Sequence, residues 1–118
     1  MAQRSVQIVF VNQTSENLAL ISTSLQHGSW SGSPPQTIAP KSNTTWGSES
    51  SGFATGTTGN AIYALQSNPS QLVSMNWDNP FVGTSSYSAS GPTTGYSVTT
   101  DPGNSGNNAT VTYTLTTA

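Results

Sequence analysis

From Thr110 to Thr116 every second residue is Thr, and Val111, Tyr113 and Leu115 fill the places between. Strict period-two alternation separates wet from dry side chains on a pleated strand. It does not do so on a helix, whose faces repeat near 3.6 residues. The same rhythm opens the chain, where Val6, Ile8 and Phe10 alternate with Ser5, Gln7 and Val9, and it returns at 18–21. Weaker strand patterns lie at 43–46, 60–66, 71–77 and 94–100. Breakers separate them: Ser33-Pro34-Pro35, Ala39-Pro40, the glycines of 56–59, Asn68-Pro69, Asn79-Pro80, Gly91-Pro92 and Asp101-Pro102-Gly103. Turn signals this frequent between short strands point to a sandwich or barrel. A strand with one Thr face and one apolar face belongs in a sheet with one wet side, which is usually antiparallel. The expectation is therefore all-β: a single-domain antiparallel β-sandwich spanning 1–118, with 101–108 as a hairpin loop.

Composition narrows the function classes. The chain has two Lys or Arg against four Asp or Glu, and charged residues are 5% of the total, against ~25% in an average soluble domain. Two cations cannot neutralise a nucleic-acid backbone or build a polybasic membrane patch. Cysteine is absent, which removes disulfides, thiolate metal sites and thiol catalysis together. With a hydrophobic fraction of 32%, the core must be thin and must rely on packing and hydrogen bonds. The start has no cleavage signal and no run long enough to span a bilayer as a helix. The chain is expected to be made in the cytosol, stored as an inclusion or released by lysis.

Titratable chemistry is scarce. The one histidine, His27, sits beside turn residues in Gln26-His27-Gly28-Ser29 and reads as a surface-loop residue. A triad would need it with Glu16, Glu49, Asp78 or Asp101, and no two of those acids are close in sequence. No phosphate loop, metal ligand set or cofactor motif is present. The expectation is no enzyme, no cofactor and no metal.

Aromatic residues carry the remaining signal. Trp30 stands between Gly28-Ser29 and Ser31-Gly32, and Phe81 follows Asn79-Pro80 and precedes Gly83. Apolar rings on such loops suit either a membrane or partner interface, or the closing of a sandwich end. Trp77 ends a strand pattern, which fits the closing role better.

At these residues the chain resembles the aegerolysin family. The likeness is carried by 48–59 (SESSGFATGTTG) with Ile62-Tyr63, by Trp77-Asp78-Asn79-Pro80-Phe81 with Gly83, and by the closing run at 106–114. Within the family it is most similar to the small aegerolysin-like subunit of the Bacillus binary crystal toxin active on corn rootworm. Phe81 stands where fungal members tend to have Trp. Thr55 stands where fungal readers of sphingolipid headgroups carry an acid.

The resemblance implies an aegerolysin-like β-sandwich that binds membrane lipid, sphingolipids among them, or a membrane receptor. It also implies a larger second component, with which an insecticidal toxin of this kind permeabilises membranes. The lipid- or partner-binding candidates are Trp30, Thr55, Trp77, Phe81 and Tyr87. Two rival readings stand beside it: a lectin-like glycan- or protein-binding module, and a self-associating spore or inclusion protein. Low net charge favours homo-oligomerisation and precipitation, which suits dense storage.

Overall fold

The computed structural model describes residues 3–118 other than 93 and 105. Among them ten strands form and no helix: β1 (Ser5–Asn12), β2 (Leu18–His27), β3 (Ser29–Gly32), β4 (Thr37–Ile38), β5 (Ser42–Glu49), β6 (Thr57–Leu65), β7 (Asn68–Asn79), β8 (Ser86–Ser90), β9 (Tyr96–Asn104) and β10 (Asn108–Thr117). They make two five-stranded sheets, ordered β3-β5-β1-β10-β9 and β4-β2-β6-β7-β8, packed face to face as a sandwich. The body measures 43 × 22 × 21 Å.

Burial follows the alternation. Val6, Ile8 and Phe10 on β1 and Val111, Tyr113 and Leu115 on β10 are buried, while Thr110, Thr112 and Thr114 are partly open. The weaker patterns were strands as well, each longer than the expected core. Pro69 lies inside β7, because a two-residue turn at Gln66 and Ser67 lets that strand begin at Asn68. Likewise β9 runs through Asp101 and Pro102 to Asn104, so the hairpin loop is shorter than 101–108.

One pairing departs from the antiparallel expectation. β1 and β10 lie side by side in parallel register, from Ser5↔Asn108 to Asn12↔Leu115. Alternation reports which face is dry, and it is blind to strand direction. The other pairings are antiparallel.

Aromatic rings fill the space between the sheets. Phe10 stacks on Tyr63 at 6.4 Å, and Trp46 touches Phe10, Tyr63 and Trp77 at 6.0–6.5 Å. Most polar tips in this layer find partners, as burial demands, while the Trp46 indole Nε1 is buried without one. The Tyr63 hydroxyl donates to the Pro35 carbonyl at 2.6 Å, and Tyr113 donates to the Asn76 carbonyl at 2.6 Å. The Trp77 indole Nε1 donates to Ser48 Oγ at 3.0 Å, and Ser48 Oγ also accepts from Thr57 at 2.7 Å. Few apolar side chains are available, so these hydrogen bonds help to fix how the two sheets meet.

Candidate functional site at one end of the sandwich

The β5–β6 connection (50–56) and the β7–β8 connection (80–85) leave the sheets at the same end, beside the residues that lead into β1. Registers place them there: Ser5 pairs with Glu49, and Thr57 pairs with Asn79. Neither loop has an apolar core of its own, so backbone hydrogen bonds must hold it.

For the first loop, Ser50 Oγ accepts from the Gln3 and Arg4 amides at 3.0 and 3.1 Å. The Ala54 amide donates to Gln3 Oε1 at 2.7 Å. Thr55 Oγ1 accepts from the Gly52 amide at 3.0 Å and donates to the Gly52 carbonyl at 2.6 Å, closing a small turn. Ala54 takes a φ of 57° there, a left-handed conformation uncommon for a residue with a Cβ.

Arg4 braces the second loop. Its Nε donates to the Pro80 carbonyl at 3.3 Å and its Nη2 to the Phe81 carbonyl at 2.9 Å. Its guanidinium carbon lies 4.6 Å from the centre of the Phe81 ring. Asn79 Nδ2 reaches the carbonyls of Ser5, Gly106 and Asn107 at 3.0–3.2 Å. Gly56 joins the two loops: a Cβ there would sit 2.6 Å from the Asn79 carbonyl oxygen and from Pro80 Cα.

On this braced base two large apolar side chains point into water. Phe53 is 89% exposed and Val82 is 82% exposed. Two open hollows flank them. One of about 570 Å³ is lined by Gln3, Ser29, Glu49, Ser51 and Phe53. The other, about 620 Å³, is lined by Gln26, His27, Thr55, Thr58, Asp78 and Phe81. In the latter Thr58 donates to the Asp78 carboxylate at 2.7 Å. Among the described residues no three His, Asp or Glu side chains gather as a metal site would require.

The sequence candidates divide. Thr55 and Phe81 lie at this end, and His27 is exposed at the end of β2, at the rim of the second hollow. Trp30 is half-buried on β3, its ring 6.0 Å from Trp77. Trp77 is 1% exposed and belongs to the core. Tyr87 is half-buried on β8, directly across from Trp77, where burial raises its phenol pKa. Phe53 and Val82 were missed, although Gly52-Phe53 and Val82-Gly83 carry the same signal that singled out Trp30: an apolar side chain beside a glycine in a loop.

No family model matches the chain. Over 64 residues, 54% of its length, the chain is 44% identical to an uncharacterised protein of Dictyostelium discoideum. It spans about 6% of that protein's length. Two solved structures superpose on nearly all of it. RahU, crystallised in complex with a TRIS molecule, matches with a TM-score of 0.79 and 17% identity, covering 100% of this chain and 98% of RahU. Nakanori, described as a lipid binding protein, matches with a TM-score of 0.80 and 15% identity, covering 98% of this chain and 72% of Nakanori. At such identities the likeness is one of fold, and the fold is the aegerolysin-like β-sandwich expected from the sequence.

Proposed function

We propose that this chain binds membrane lipid through the end that carries Phe53 and Val82. The observation that carries the reading is their pairing: two large apolar side chains, almost fully exposed, on neighbouring loops held rigid by Arg4, Ser50 and Asn79. Exposed apolar groups on a rigid base lose little conformational freedom when they enter an interface. Burying Phe and Val contributes roughly 1.5–3 kcal/mol each. That supports weak, reversible attachment, which a membrane-bound partner would convert to avidity. The description of the Nakanori structure as a lipid binding protein supports the same reading.

In its finer form the proposal is a non-enzymatic toxin component. The chain would dock on a sphingolipid-bearing or receptor-bearing membrane and recruit a larger second protein that permeabilises it. The test is co-flotation with vesicles of phosphatidylcholine alone, with added sphingomyelin, with added ceramide phosphoethanolamine, and of insect-gut lipid extract. Binding to any class that is lost in a Phe53→Ala/Val82→Ser double variant supports the site. Binding by the double variant equal to wild type overturns it, and no binding to any panel member moves the function to a protein or glycan receptor.

A further inference from the structure

A sheet edge exposes unpaired N–H and C=O groups, and proteins blunt such edges with short strands, bulges, Pro or charge. Three of this sandwich's four sheet edges carry a device of that kind. β4 is two residues long, and the stretch of β2 beyond it has register shifts at Leu20/Ser22 and Leu25/His27. β3 is four residues with a shift at Trp30/Gly32. β9 contains Asp101 and Pro102, and its other end carries Glu16, whose carboxylate accepts from the Tyr96 hydroxyl at 3.1 Å. Two copies of β9 paired antiparallel would bring these acids together.

β8 has none of these. Its five residues, Ser-Tyr-Ser-Ala-Ser, contain no charge and no Pro, and they pair with β7 without a shift from Ser74↔Ser90 to Asp78↔Ser86. The segment is also complementary to itself. In antiparallel pairing centred on Ser88, Ser86 faces Ser90 of the second copy and Tyr87 faces its Ala89. Directly opposite residues share a sheet face. The half-buried Tyr87 and Ala89, which pack against the core, would therefore continue one apolar layer across the junction, large against small. The serines would meet hydroxyl to hydroxyl, as Ser74 and Ser90 already do across β7 and β8 at 2.9 Å. Each Asp78, beside Ser86, would face serines of the other copy and not its carboxylate.

We propose that β8 is a self-association edge, on which a second copy of this chain pairs about a two-fold axis through Ser88 to make one ten-stranded sheet. Antiparallel pairing points the two loop ends in opposite directions, so one bilayer could engage only one of them. The pairing stands or falls independently of lipid binding.

Because the chain lacks cysteine, Ser88→Cys introduces a sole thiol, and self-pairing sets two such thiols opposite one another within reach of a disulfide. Air oxidation of Ser88→Cys to a covalent dimer is expected to run at least about tenfold faster than that of Thr99→Cys, on the β9 edge, at equal concentration. In sedimentation equilibrium the wild-type mass should rise from 12.2 kDa towards twice that value with concentration. Ser88→Lys, which sets like charges opposite each other, should hold the monomer mass with an unchanged melting temperature. Equal oxidation rates for the two cysteine variants, or a monomeric wild type at about 1 mM, where a dimer with a Kd at or below that value would be half formed or more, would overturn the proposal.

Discussion

The Arg4 guanidinium covers the Phe81 ring at 4.6 Å and donates to the Phe81 carbonyl as well, so one side chain grips that residue by both ring and backbone. It reaches across 77 residues of sequence to do so. Removing it leaves the carbonyls of Pro80 and Phe81 to water or to nothing. Arg4→Ala is expected to lower stability by about 1–2 kcal/mol in urea denaturation. Arg4→Lys should restore less than half of that, because an ammonium lacks the planar fork that serves several acceptors. Lipid co-flotation should weaken in both, since the 80–85 loop loses its brace.

Phe53 and Val82 give the opposite pattern. Both are exposed, so Phe53→Ala and Val82→Ser should each leave stability within about 0.5 kcal/mol of wild type. Membrane affinity should fall by roughly ten- to a hundredfold for Phe53→Ala and by less for Val82→Ser. Vesicle titration beside urea denaturation separates the two effects.

The two tryptophans in contact, Trp30 and Trp77, should behave unequally. Trp77→Ala empties a core site and removes one of the two hydrogen bonds to the buried Ser48 hydroxyl, so a loss of roughly 3–5 kcal/mol is expected. Trp30→Ala takes a half-buried ring from a strand at the sheet's edge and should cost about 1–2 kcal/mol. Equal losses would mean that Trp30 is as enclosed in solution as Trp77.

Alkaline pH should unfold the protein more readily than acid arguments alone would suggest. Burial pushes the phenols of Tyr63 and Tyr113 well above their ordinary value of 10.0, with the neighbouring Tyr87 adding to the rise at Tyr113. In the unfolded chain both ionise near that ordinary value, while the folded chain keeps both protons. Below about pH 10 these two groups contribute no slope. Above it the unfolded state binds fewer protons, and stability falls by up to about 1.4 kcal/mol per pH unit for each tyrosine. Urea midpoints compared at about pH 8 and pH 11 check this, and ultraviolet titration should show the two phenols ionising together with unfolding.

The fold was legible because its signal is local. Val111, Tyr113 and Leu115 are dry and their Thr neighbours wetter, a fact the sequence states outright through a period of two. Pairing direction is not local, and so the parallel contact of Ile8 with Val111 could not be read. Trp77 closes an alternating run and could be read as core for the same reason as Val111, yet the family likeness sets it among the binding candidates, where its 1% exposure does not leave it. The loop end was legible only in part. Thr55 and Phe81 stand out by their motifs, but the exposure of Phe53 and Val82 depends on supports that arrive from elsewhere. Gln3 holds Ala54 from 51 residues away, and Asn79 holds the 106–107 carbonyls from 27 and 28. No window of sequence contains both a loop and its support.

The parallel register between β1 and β10 has a consequence for biosynthesis. Residues 5–12 leave the ribosome before the rest of the sandwich, yet their neighbours on one side are residues 108–115. The middle of that sheet therefore cannot close until residues 108–115 have been translated as well. Such distant pairings raise contact order and slow the final step. Until then β1, paired only with β5, leaves its other edge open, with Val6, Ile8 and Phe10 along it, to any other nascent chain nearby. Expression at reduced temperature or with slowed initiation, which spaces the ribosomes on a message, should raise the folded yield for this reason.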